Sequence, residues 1–376
     1  MRASRCVAVA ADAVVSVALI GCVLYFGYAQ FYRAFHAVLL LFLLLLGGVF
    51  SSAVCCIFHE LGHVLFGALC GFRFVGMRAA CFRLYRSGGK MHACFSALPA
   101  SLAGATEMIP KHTRRLRGRY LAFLAGGLIF SLLFLAGAAV AFGFFARVPF
   151  AVYALVCTAL PAAFHLFFVN VLPVFDGTDG ASFFGVLRGD PSSAAALRIL
   201  AIEGGMYEGR TPSELDPKLF FAPPNLPEDD VYFLLLTDHR LTFYLDAGDA
   251  ASAAKETLRL DELLAYAPPY YSGALAADVL FGKCCVLRDT EGALALYSRY
   301  AAVFAGAGTV SSERTVAAFE WYVKGDRAAA GAALARARRL AETSVVAGEA
   351  RFEGKLLDRI AADVARSPAG EANAAL

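Results

Sequence analysis

His59, Glu60 and His63, in the run HELGH, are the residues of this chain whose types and spacing most directly imply chemistry. Good helix formers surround them and no proline interrupts residues 51–70. The stretch therefore reads as a helix on which two imidazoles, four residues apart, share one face. Two imidazoles at that spacing can bind one zinc ion, and Glu60 between them projects toward the same site as a candidate general base that activates a water. Histidines merely satisfied inside a helix bundle are the plainer reading, but that reading leaves Glu60 without a purpose. Nothing from Ala37 to Phe58 is charged, and residues 64–70 are again apolar. Three polar groups thus lie in a segment long enough to cross a bilayer, where ionisable groups are costly and mark function.

A zinc ion on two histidines needs a third protein ligand. Up to Gly189 the chain holds five acids. Asp12 belongs to an earlier segment, Glu60 is the base, Glu107 lies in a loop, and the next Glu after it is Glu203. That leaves the run DGTDG, with Asp176 and Asp179, as the oxygen donor. Pro173, Gly177 and Gly180 break the helix there, and irregular backbone at membrane depth is tolerated where it lines a cavity. Cys55 and Cys56, a turn before His59, are expected to pack rather than bind metal. The ten cysteines show no CxxC and no framework spacing, so no disulfides are expected. His165 is expected to be packed or hydrogen-bonded, and His92 and His112 to be solvated loop residues.

The elements that must position these residues are apolar segments. Spans are expected at Val7–Tyr28, His36–Cys70, Tyr120–Phe145 and Val148–Leu172. The first is taken as a retained helix rather than a signal peptide, because the sequence after Cys22 stays apolar. Asp12 is expected near its end, at the interface. Residues 71–119 hold ten Lys and Arg against Glu107 alone, so this loop faces the cytoplasm by the positive-inside rule. Both termini then also face the cytoplasm, in what reads as a bacterial cytoplasmic membrane. Within the loop, FRFVGMRAACFRLY and KMHACFSA flank Ser87-Gly88-Gly89 and read as two strands joined by a turn. Such a hairpin could offer an edge to an extended peptide or lie on the membrane surface.

The order HELGH, a glycine-rich span, then Asn170-x-x-Pro173 ahead of an Asp-Gly, resembles the site-2 protease family of intramembrane zinc metalloproteases. The resemblance covers about Ala37 to Arg188. It implies that His59, His63 and the Asp of the Asp-Gly hold Zn2+, that Glu60 activates water, and that Asn170 lies close by to bind substrate or assist the oxyanion. The family pattern has four residues between Pro and Asp-Gly, whereas Pro173 is followed by Asp176 after two and Asp179 after five. Asp179 is taken as the ligand, since a one-residue insertion is easier to absorb than a two-residue deletion. Asp176 is then a candidate for orienting a ligand.

From Asp190 onward the chain changes character, with nineteen Lys and Arg against twenty-six acids, where the part before it has fifteen against five. The net charge of +3 is therefore a cancellation, and nothing suggests nucleic-acid binding. Gly248-Asp249, Arg288-Asp289 and Gly325-Asp326, at intervals of 40 and 37 residues, each separate an apolar-periodic helix from an Ala-rich one. This reads as stacked helical hairpins similar to tetratricopeptide repeats, with an ordinary helical bundle as the alternative. Residues from about Ser367 read as a frayed tail.

The expected protein is thus an all-α membrane protein of about four transmembrane helices with a small β-hairpin loop in residues 1–189. A soluble acidic helical region follows at 190–376. The expected function is an intramembrane zinc endopeptidase that acts on a membrane-protein segment, with the helical region binding a cytoplasmic regulator or substrate tail. An inactive protease-like scaffold in the bilayer is the alternative.

Overall fold

The computed structural model describes residues 2–87, 90–95, 104–305 and 308–366. The chain divides into two compact units, the first running to Asp190 and the second consisting mainly of the chain from Pro191 onward. The expected turn at Gly88-Gly89, the end of the second expected strand at Ser96-Ala97 and the expected tail from Ser367 lie outside the described residues.

The first unit opens with two long helices, α1 (Arg2–Phe31) and α2 (Ala37–Leu69), the second carrying HELGH. α2 ends where Gly71 takes a left-handed conformation, φ 76°, and Arg119 donates to the carbonyls of Cys70 and Gly71. Four strands follow: β1 (Phe72–Ala79), β2 (Phe82–Ser87), β3 (Lys90–Phe95) and β4 (Gly104–Pro110), ordered β3-β2-β1-β4 in one sheet. This corrects the expected two-stranded hairpin. FRFVGMRAACFRLY is itself a hairpin, with β1 and β2 antiparallel in the register Gly76↔Tyr85 to Ala79↔Phe82. Its two-residue turn places Ala80 at φ 51° without a glycine or asparagine to announce it. The unit is therefore helical with a small antiparallel sheet, and His92 lies on β3 rather than in a loop.

α3 (Leu116–Gly143) crosses α2 closely. The expected fourth span is broken into α4 (Phe150–Leu155), a 3-10 turn at Cys157–Ala159 and α5 (Leu160–Val171). Pro161 explains the break, since it lacks an N–H and its ring would clash with the carbonyl four residues back. The carbonyls freed by the break find hydroxyls: Thr158 Oγ1 donates to Ala154 O at 2.6 Å and Ser51 Oγ to Leu155 O at 2.7 Å. α6 (Asp179–Arg188) closes the unit, capped by Thr178 and ended by left-handed Gly189. Among the described residues four stretches are long and apolar enough to cross a membrane: Ser4–Phe31, Ala37–Leu69, Leu116–Gly143 and Phe150–Val171.

The second unit is helical: α7 (Pro191–Tyr207), α8 (Lys218–Phe221), α9 (Val231–Ala247), α10 (Ala250–Leu263), α11 (Pro269–Gly282), α12 (Thr290–Arg299), α13 (Ala301–Ala305), α14 (Val310–Tyr322), α15 (Arg327–Glu342) and α16 (Ala347–Arg366). The three Xaa-Asp pairs sit at its hairpin turns. Gly248, Arg288 and Gly325 are left-handed, with φ of 76°, 56° and 68°. Each following Asp caps the next helix, accepting from Ser252 N, Gly292 N and Ala329 N at 3.0, 2.9 and 2.9 Å. Leu234, Leu241, Leu260, Leu280, Phe319 and Leu356 are among the side chains that fill the core between these hairpins.

Candidate metal centre

α2 and α3 bring the site together because their backbones nearly touch. A Cβ on Gly62, the fourth residue of HELGH, would collide with the Gly126 carbonyl, and one on Gly126 with the Gly62 carbonyl. On the next residue of α3, Gly127, a Cβ would strike the imidazoles of His63 and His59. Glycine is thus required where one helix passes over the other's histidines. The third contributor arrives from α6. A Cβ on Gly180 would meet the carbonyls of Asn170 and Val171, so only glycine lets the first turn of α6 lie against the end of α5 and carry Asp179 inward.

The resulting geometry has three donor atoms in one spot. His59 Nε2 lies 2.9 Å and His63 Nε2 3.1 Å from Asp179 Oδ2, and the two Nε2 atoms are 3.3 Å apart. Ligands about 2.0–2.1 Å from a tetrahedral zinc stand about 3.3 Å from each other, so the donor set fits that ion in type and spacing. The other ring nitrogens have their own partners. His63 Nδ1 is 2.9 Å from the Phe123 carbonyl, to which it donates, and His59 Nδ1 is 2.7 Å from Ser131 Oγ. The carbonyl fixes His63 in the tautomer that turns the Nε2 lone pair to the metal position, and Ser131 can do the same for His59.

Glu60 is 5% exposed and lines the same cavity of about 610 Å³ as the three donors. Thr106 on β4 donates to Glu60 Oε2 at 2.6 Å, and a Cβ on Gly104 would collide with the other carboxylate oxygen. The first residues of β4 therefore cover the Glu60 carboxylate. Glu107, the next residue, points to the opposite face of the strand and interacts with Arg78 and Arg83.

No protein-family model, curated protein sequence or solved structure matches this chain.

Asn170 lines the cavity from α5, half-buried, with its Nδ2 donating to Leu166 O one turn back at 2.9 Å. Asp176 lies at the cavity's rim, its side chain 84% exposed and 3.1 Å from Arg5 Nη1 in α1. The structure thus brings His59, Glu60, His63 and Asp179 together, sets Asn170 on the wall and leaves Asp176 turned toward Arg5. Cys55 is buried in the apolar core and Cys56 half-buried at the cavity wall. His165 also lines the cavity and is hydrogen-bonded to Asp12, whose side chain is 14% exposed beside it.

Sequence reasoning missed Thr106, Ser131 and the pairing of Asp12 with His165. Ser131 is the only hydroxyl in the run AFLAGGLIFSLLF, and an isolated polar residue in an apolar span was the available signal. Thr106 carries no such mark.

Proposed function

We propose that this chain is an intramembrane zinc endopeptidase of the site-2 protease type, which cuts a transmembrane or membrane-adjacent segment of a protein substrate. The observation that carries the reading is the convergence of His59 Nε2, His63 Nε2 and Asp179 Oδ2 beside a buried Glu60. His59, Glu60 and His63 all belong to a helix apolar enough to cross a bilayer. The donors would hold Zn2+, which when bound supplies Lewis acidity to a water and to the peptide carbonyl.

The chain's own residues do the rest. Glu60, held in place by Thr106, takes the proton of the attacking water and returns it to the leaving amine. Gly127 keeps space clear against the imidazoles, while Ser131 and the Phe123 carbonyl orient them. Asn170 binds substrate backbone on the α5 side. β4, an edge strand whose start covers Glu60, is suited to hold an extended peptide by backbone hydrogen bonds.

The basic loop supports a reading in which the strands and both termini lie on the cytoplasmic side of a bacterial membrane. The helical hairpins of the second unit, with their left-handed residue and Asp cap recurring at tetratricopeptide-like intervals, suit binding of a cytoplasmic regulator or substrate tail.

A Glu60→Gln variant expressed in place of the wild type tests this reading. Its membrane-protein substrate should accumulate uncut although the variant is inserted and carries zinc. Continued cleavage by the variant contradicts the mechanism. A wild-type chain without stoichiometric zinc supports the scaffold reading instead.

A further inference from the structure

α1 and α5 meet through a polar pair that the metal donors do not need. His165 Nδ1 on α5 lies 2.8 Å from Asp12 Oδ2 on α1. The carboxylate is 14% exposed, while the imidazole is 57% exposed and lines the metal cavity. A carboxylate sunk among apolar helices is costly unless a donor faces it. An imidazole whose Nδ1–H is taken by that carboxylate has a fixed orientation and leaves Nε2 for the cavity. A second, mainly apolar cavity of about 370 Å³ between α1, α2 and α5 shares Ser52, Ala162 and His165 with the first. His165 therefore stands where an apolar groove opens onto the metal donors.

Peptide hydrolysis puts negative charge on the scissile carbonyl oxygen, and a fixed donor aimed at it is worth a large part of the rate. Two of the other polar groups of the wall are already engaged. Thr106 donates to Glu60, and Asn170 spends one N–H on Leu166 O.

We propose that His165 is a further catalytic residue of the peptidase reaction, whose Nε2–H donates to the scissile carbonyl oxygen as it becomes an oxyanion, and that Asp12 is the residue positioning it. This rests on the endopeptidase reading above. His165 gives one ring N–H to the Asp12 carboxylate and the other to the oxyanion, and it neither gains nor loses a proton in the step. The water oxygen bonds to the carbonyl carbon and the C–N bond breaks. The water's proton passes through Glu60 to the leaving nitrogen.

The test uses the purified full-length, zinc-loaded chain in detergent, with a dye-labelled single-span peptide chosen from a library as the one the wild type cuts fastest. His165→Ala should lower kcat about 100-fold, the loss typical of one oxyanion donor, with KM and zinc content unchanged. His165→Gln, which keeps an N–H donor and most of the volume, should recover part of that loss. Asp12→Asn should lower kcat about tenfold, and combining it with His165→Ala should add nothing, because Asp12 acts through the imidazole. Unchanged kcat in His165→Ala, with zinc retained, or a His165→Gln variant no better than His165→Ala, overturns this proposal and leaves the endopeptidase reading standing. So does a loss shared equally by kcat and zinc content, which a merely structural pair would give. A wild-type chain that holds zinc and cuts no member of the library overturns both.

Discussion

In the first unit, Val7, Val14, Val38, Phe42 and Leu69 turn their side chains outward, while Ser51, His59, Glu60, His63 and Ser131 are buried. In the second, Leu234, Leu241, Leu260, Phe281 and Leu356 are buried, beside polar groups such as Thr257, Arg314 and Glu353. The first unit turns many large apolar side chains outward where the second turns few, and that difference implies different surroundings and different forces. With lipid around the first unit, as proposed, apolar burial gains nothing by choosing protein over solvent. Cohesion must then come from backbone approach at small residues and from hydroxyls on freed carbonyls. Gly62 against Gly126, and Ser51 and Thr158 on the carbonyls of Leu155 and Ala154, are those contacts. The second unit is held by ordinary hydrophobic burial and cut into hairpins by capped turns.

The contrast can be broken most forcefully from the second unit. Arg314 is fully buried, its Nη1 on Glu353 Oε1 at 2.8 Å and its Nη2 on Asp278 Oδ1 at 2.5 Å. Arg314→Ala leaves two carboxyls buried without their cation, at a cost of about 3–5 kcal/mol. Trp321, the chain's single tryptophan, lies in α14 of the same unit and reports unfolding. Its urea midpoint should fall sharply in the variant, while zinc content, which the proposed site assigns to the other unit, stays put.

Gly62→Ala attacks the first unit in the complementary way. The added methyl meets the backbone carbonyl of Gly126, which cannot swing aside, and a cost of about 1–3 kcal/mol is expected. Zinc content and proteolytic resistance of the spans should drop with the Trp321 transition unchanged. An equal loss in both readouts would show that the units do not stand on separate forces.

Much of the donor cluster was readable because helix spacing is a local property. HELGH places two imidazoles and a carboxylate by helix spacing alone, and the scarcity of acids before Gly189 narrows the third donor to DGTDG. The hairpin turns of the second unit were readable from their Gly-Asp and Arg-Asp pairs, since a left-handed residue and a capping Asp are a turn's local requirements. What the sequence concealed depends on pairing across distance. Thr106 reaches Glu60, Ser131 reaches His59 and Asp12 reaches His165 only because strands and helices far apart in sequence meet. The Ala80-Cys81 turn was hidden for a local reason, as neither residue favours positive φ. The break in the fourth span was legible in Pro161, but hydropathy averages over it.

A smaller effect sharpens the comparison through pH. Burial pushes the Glu353 carboxyl up to about 7, with the Arg314 guanidinium pulling the other way. An unfolded Glu titrates near about 4.3. Between these values the folded chain holds a proton that the unfolded chain has released. The contribution of Glu353 to stability is therefore complete at the acid end and is lost as pH rises toward 7. Glu353→Gln should flatten this part of the pH dependence of the Trp321 urea midpoint. An unaltered slope would remove Glu353 from the account.

The most direct test of the central claim is the metal content of the purified chain and three variants. One zinc per chain is expected in the wild type and in Glu60→Gln. Asp176→Ala should retain zinc with somewhat weaker affinity, and Asp179→Ala should lose it. A wild-type chain without stoichiometric zinc, or zinc lost from Asp176→Ala and kept by Asp179→Ala, would contradict the metal centre built from His59, His63 and Asp179.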